Sequence, residues 1–189
     1  MAARLLHRKI MPYSWLQRLP KSGDSSTTGF TILSSSEQCF LVTSSSWATN
    51  PAGCPTIANN YLRWNRRSDA LWWSAISTIK LSPKRVIRSW AARRLRVAFV
   101  KSLNKYGYGS DGFSIDGKRA ELPSLNGTVQ FFANHPSIIQ LKDTDLMKHM
   151  DYSVQLLIKK QMGSTKKPGK LDSEKPQSRN RYNNIRKRS

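Results

Sequence analysis

The clearest helical period in the chain lies between Thr144 and Gln161, where Leu146, Met147, Met150, Val154, Leu157 and Ile158 recur at steps of three and four. Asp143 and Asp145 stand near its positive N-terminal end, Lys159 and Lys160 near its negative end. A second helix is predicted from about Pro83 to Lys105. Its apolar stripe is Ile87, Trp90, Ala91, Leu95, Ala98, Phe99 and Leu103. The Ser82 hydroxyl can accept a first-turn N–H, Pro83 suits a position whose N–H would be unpaired, and Gly107 or Gly109 supplies the left-handed stop. Leu71, Trp72, Ala75, Ile76 and Ile79 repeat the same spacing, which predicts a further helix capped by Ser68.

Strand signals lie between the last two helices. Phe113-Ser114-Ile115 alternates and runs into Asp116-Gly117, a dipeptide suited to a type I′ hairpin turn because both central residues need positive φ. The run from Gly127 to Phe132 is β-branched and aromatic. Residues 59–162 are therefore expected to form an α+β domain, about three helices packed on a two- or three-stranded antiparallel sheet. Residues 1–58 are expected to be a targeting segment and flexible linker, and residues 163–189 a basic tail that is disordered when free.

The N-terminal expectation rests on residue type. The first 23 residues hold Arg4, Arg8, Lys9, Arg18 and Lys21 and no acid, with Leu5, Leu6, Ile10, Trp15, Leu16 and Leu19 as apolar faces. Charge interrupts every short apolar run, which fits an amphipathic mitochondrial transit peptide and not a secretory signal. Residues 22–58, rich in Ser and Thr around Pro51, Gly53 and Pro55, read as linker. No run reaches the ~18 apolar residues of a membrane-spanning helix, so no integral insertion is expected. Cys39 and Cys54 lack any Cys-x-x-Cys or paired-His spacing, and two free thiols are expected in place of a metal site.

Charge changes the picture most. The chain of 189 residues carries 32 Lys and Arg against 11 Asp and Glu, a net charge of +21. Residues 83–110 hold eight basic side chains and no acid, and residues 159–189 hold eleven against two; residues 111–158 are mildly acidic, with four against six. Such a distribution points to contact surfaces for a polyanion. On the second helix the candidates are Lys84, Arg85, Arg88, Arg93, Arg94, Arg96, Lys101 and Lys105, which find no acidic partner along their own helix. In the tail they are Arg179, Arg181, Arg186, Lys187 and Arg188, interleaved with Tyr182, Asn183 and Asn184. The preponderance of Arg favours phosphate and RNA over lipid. Trp72, Trp73 and Trp90 are read as core, and Trp64, near Arg63, Arg66 and Arg67, as the better stacking or cation–π residue.

Catalytic chemistry is not legible. His7, His135 and His149 are scattered, no nucleophile–base pairing can be read, and the Gly107 to Gly112 loop follows a helix where a phosphate-cradling loop would follow a strand. Two helices joined at Leu81-Ser82 resemble a helix-turn-helix only in outline, since the joint has no Gly and the second helix is long. In bulk composition, though not in motif, the chain resembles small organellar ribosomal proteins. The expectation is a non-catalytic, cofactor-free and metal-free RNA-binding protein of mitochondrial gene expression. It would sit in the matrix with ribosomal RNA and ribonucleoprotein as first partners. The alternatives are a nuclear or nucleolar nucleic-acid binder addressed by the Arg186-Lys187-Arg188 cluster, and a peripheral protein on anionic lipid.

Overall fold

A computed structural model describes residues 10–20, 28–42, 64, 66–115 and 123–164. After a 3-10 turn at Tyr13–Trp15, the elements in chain order are β1 (Gln17–Arg18), β2 (Phe30–Ser35), β3 (Leu71–Ser77), helix α1 (Arg85–Lys105), β4 (Gly127–Ala133), the short helix α2 (Ser137–Gln140) and helix α3 (Asp143–Ser164). The architecture is α+β. Its four-stranded sheet has the order β1-β2-β4-β3 and is mixed: β1 and β2, and β2 and β4, pair antiparallel, whereas β3 and β4 pair parallel. The parallel pair requires a long crossover, which α1 supplies.

Two expectations are corrected here. The segment at 71–77, whose spacing predicts a helix, is a strand, and the helix-turn-helix outline disappears with that helix. In register with β4, Leu71, Trp73, Ala75 and Ser77 face the same way as Gly127, Val129, Phe131 and Ala133, and Trp72, Ser74 and Ile76 face the other way. Leu71, Trp72 and Ala75 are all buried. A strand covered on both faces loses the alternation of a half-exposed one, and its apolar residues then mimic helical steps. The second correction concerns the stretch read as linker, which contains β2. Phe30-Thr31-Ile32-Leu33-Ser34-Ser35 pairs with β4 from Phe30↔Ala133 to Ser35↔Thr128, so the sheet is neither purely antiparallel nor three-stranded. Leu16 and Leu19, read as a targeting face, are buried in the domain. Residues 1–9, the hairpin turn at Asp116-Gly117, Cys54 and the tail from 165 to 189 lie outside the described residues. Phe113 to Ile115 contributes only an isolated bridge, Tyr108 with Ser114.

α1 lies against β3 and β4, and α3 lies against α1. Between the helices and the sheet is the core: Leu95, Phe99 and Leu103 from α1, Met150 and Val154 from α3, and Phe30, Ile32, Val129 and Phe131 from the sheet. Phe99 is its centre, tilted 4.7 Å from Phe131 and edge-on 5.1 Å from Trp73. Such ring pairs contribute about 0.5–1.5 kcal/mol each beyond area burial.

The opposite face carries polar residues in the middle of the sheet, and each has a purpose. The chain returns over this face after β2. There the Thr128 hydroxyl accepts the Cys39 N–H at 2.7 Å and donates to the Glu37 carbonyl at 3.1 Å. Gln130 accepts the Val42 N–H at 3.4 Å and donates to the Ser74 hydroxyl at 2.6 Å. These side chains replace the strand partner that the crossing backbone lacks. Glycine is required at two close approaches: Gly29 at φ +70° and Gly127 at φ +117°, where a Cβ would collide with the Ile138 amide and the Ser35 carbonyl. Among the described residues no helix is long and apolar enough to cross a membrane.

Candidate nucleic-acid interface

α1 forms where predicted. Its start has no side-chain cap at Lys84; the Ser82 hydroxyl accepts the Lys84 N–H at 3.2 Å, two residues on, and the helix begins at Arg85 instead of Pro83. Its end is a Schellman motif: Gly107, at φ +83°, donates to the Asn104 carbonyl and Tyr108 to the Leu103 carbonyl, both at 3.0 Å. α3 runs two residues past the boundary expected for the domain, and its last turn carries no basic residue, so Lys159 and Lys160 sit one turn back from the end.

The seven cations of α1 and Lys84 at its N-cap divide into two groups by what they touch. Arg94 is enclosed, with 14% of its side chain exposed, and ties α1 to the corner between α2 and α3. It donates to the Ile138 carbonyl at 2.7 Å, to the Leu141 carbonyl, and through Nε and Nη2 to Asp143 at 2.9 and 2.6 Å. Lys105 pairs with Asp151 at 2.5 Å, and the same carboxylate accepts the Ser102 hydroxyl at 2.7 Å. The hydrogen bond to Asp151, and then its charge, push the Lys105 ammonium above its ordinary value. Arg88 donates to the Ser82 and Pro83 carbonyls at 2.9 and 2.6 Å, and Arg96, although exposed, reaches the Ala75 carbonyl at 3.1 Å. The absence of acids along α1 thus does not mean the absence of partners: they are supplied by α3 and by backbone carbonyls, some distant in sequence and some just ahead of the helix.

Lys84, Arg85, Arg93 and Lys101 form the second group, exposed and without a side-chain hydrogen bond or ion pair among the described residues. Arg85, Arg93 and Lys101 are spaced by eight residues. Each step is about 12 Å along the axis and about 80° round it, so the three cations trace a diagonal across the outer surface of the helix. Trp90 lies beside this track. Read as core from the sequence, it is 47% exposed, with the Arg94 guanidinium 5.3 Å over its ring. Val86 and Val97 are exposed too, at 80% and 46%.

A groove of about 570 Å³ runs between α1 and α3 here, lined among others by Trp90, Arg93, Val97, Lys101, Ile139 and Met147. Sequence reasoning missed this apolar surface, yet a signal existed. Trp90 precedes Leu95 by five residues, which is about 140° round a helix and off the inner stripe. Trp64, by contrast, is engaged within the domain. It stands edge-on to Trp72 at 5.0 Å and to Phe40 at 5.7 Å, with Arg67 over both indoles. The tail candidates Arg179, Arg181, Arg186, Lys187 and Arg188 lie outside the described residues. His135 binds the backbone and hydroxyl of Ser137, and His149 stands edge-on to Phe30. Comparison of the chain with protein families, curated proteins and solved structures finds no match.

Proposed function

We propose that this chain is a non-catalytic RNA-binding protein whose ordered contact surface is the outer face of α1. The observation that carries this reading is the set of free cations, Lys84, Arg85, Arg93 and Lys101, left exposed on an acid-free helix after the other four have been engaged within the domain. Self-repulsion among them is relieved when phosphates displace water and counterions. The basic residues at 159–189 extend the same electrostatic field. The surface offers planar guanidinium groups for bidentate phosphate contact, and an exposed indole beside them.

The cellular setting we propose is mitochondrial gene expression, with ribosomal RNA as first ligand. Met11, Leu16, β1 and Leu19 belong to the folded unit, so the basic, acid-free stretch read as an import signal overlaps residues that the fold also uses. Fusing residues 1–30 to a reporter tests import, and fusing the tail alone tests the nuclear alternative.

Salt titration tests the interface. Affinity for a single-stranded RNA should fall steeply with salt, and Arg93→Gln with Lys101→Gln should reduce the slope by about 1.4, roughly 0.7 for each lost phosphate contact. Arg94→Gln should leave the slope unchanged, because its guanidinium is already occupied. A double variant with the wild-type slope would remove α1 from the interface and leave the tail to carry the binding.

A further inference from the structure

We infer that the groove between α1 and α3 is a nucleobase site, so that the preferred ligand is a single strand with unstacked bases and not a duplex. This rests on the RNA-binding reading above and deepens it. The groove combines two features that seldom meet on a solvated face. Its walls include an indole and aliphatic side chains, Trp90, Val97, Ile139 and Met147, and its rim carries the free cations Arg93 and Lys101. Its carboxylate, Asp143, meets Arg94 through Oδ1 alone and stays 87% exposed, but the lining cations Arg93, Arg94 and Lys101 outnumber it. The net charge of the lining therefore favours an occupant that is anionic along one edge and apolar on its faces. The chain's own basic tail carries the wrong charge for that position.

The state of the indole favours a base over an acidic peptide. Arg94 is held by two carbonyls and a carboxylate, and its guanidinium lies 5.3 Å from the Trp90 ring centroid. The ring is thus braced before any ligand arrives, while nearly half of the residue stays open. A flat, fixed aromatic surface suits a flat partner, and stacking on it is available only to bases already out of a helix. The backbone of such a strand would follow the diagonal through Arg93 and Lys101, with Val97 and Met147 against the sugar and base edges.

The test uses the full chain and a fluorescein-labelled RNA of about twelve nucleotides, free or annealed to its complement. Inorganic polyphosphate and polyglutamate serve as competitors. The expected result is a preference for the single strand over the duplex and over either competitor. Trp90→Leu should weaken single-strand binding roughly ten-fold without altering the salt slope, while Trp90→Phe keeps most of the affinity. Melting of each variant near the wild-type temperature establishes that the fold is retained. Equal binding of duplex or polyphosphate, or a Trp90→Leu variant with wild-type affinity, would overturn the base site while leaving RNA binding by α1 standing. Equal competition by polyglutamate would assign the groove to an acidic polypeptide instead. No binding of any RNA by the wild-type chain would sink both readings together.

Discussion

Arg94 is the residue at which sequence and structure give opposite expectations, and its replacement separates them. As one of eight cations on a basic helix it reads as a phosphate contact; in the fold it is a clamp. Its guanidinium serves two carbonyls at the C-terminal end of α2 and the Asp143 carboxylate at the start of α3. A hydrogen bond from a charged donor contributes about 1.5–3 kcal/mol, but the Asp143 side chain is 87% exposed and its pair should count as a surface one, roughly 0–1 kcal/mol. In Arg94→Ala the two carbonyls lose their donor, and water entering the space left behind offsets part of the loss. The net cost should be about 2–4 kcal/mol. Arg94→Lys should recover less than half of it, since one ammonium cannot span acceptors that the planar fork reaches together.

Urea unfolding followed by far-UV circular dichroism reads this directly. Asp143→Asn should cost no more than about 1 kcal/mol, because it removes only the exposed partner. The reasoning is refuted if Arg94→Ala destabilises by less than about 1 kcal/mol, or if Asp143→Asn costs as much as Arg94→Ala. A stable Arg94→Ala variant with a flattened salt slope would go further and return Arg94 to the phosphate track.

Other expectations follow from the same contacts. Trp72→Ala should cost about 3–5 kcal/mol, since the indole is wholly buried between Trp64 and the sheet, whereas Trp90→Ala should cost roughly 1 kcal/mol; urea midpoints decide. Thr128→Val keeps the shape but leaves the buried Cys39 N–H without its acceptor, so it should destabilise by about 1–3 kcal/mol, with Thr128→Ser restoring most of the loss in thermal melts. Burial, the largest cause, pushes the Cys39 thiol above its ordinary range. The unfolded thiol therefore ionises first, and above roughly pH 8.5 stability should fall as pH rises. Cys39→Ala should show a shallower decline in urea midpoint across that range, and an equal decline would refute the assignment.

How far the fold could be read depended on where each element finds its partners. α1, α3 and β4 were legible because their signals are local: an apolar stripe, a left-handed stop at Gly107, a β-branched run. β2 and β3 were not, for opposite reasons. β3 is apolar on both faces, so it gives no period 2, and its steps of three and four pass for a helix. β2 sits in a Ser- and Thr-rich stretch whose composition says linker, yet Phe30 pairs with Ala133, about a hundred positions away, and Thr128 and Gln130 supply the bonds that hold the chain after it. Local propensity reads neither a partner so distant nor the tertiary burial that overrides it.

The same limit governs the site. A count of charges along α1 bounds how many phosphates the helix could meet, but it weighs all eight cations equally. Distance along the chain hides that Asp143 and Asp151 pair with two of them from a neighbouring helix, and residue type does not show that backbone carbonyls engage two more. The mildly acidic composition of residues 111–158 was a partial signal, since those acids had to face something. What survives the division is a sparser and more directional surface, with cations every eight residues and an apolar groove at one side. Such spacing suits a strand crossing the helix obliquely better than a uniform coat of charge. It also places Trp90, which the apolar stripe claimed for the core, where a ligand can reach it.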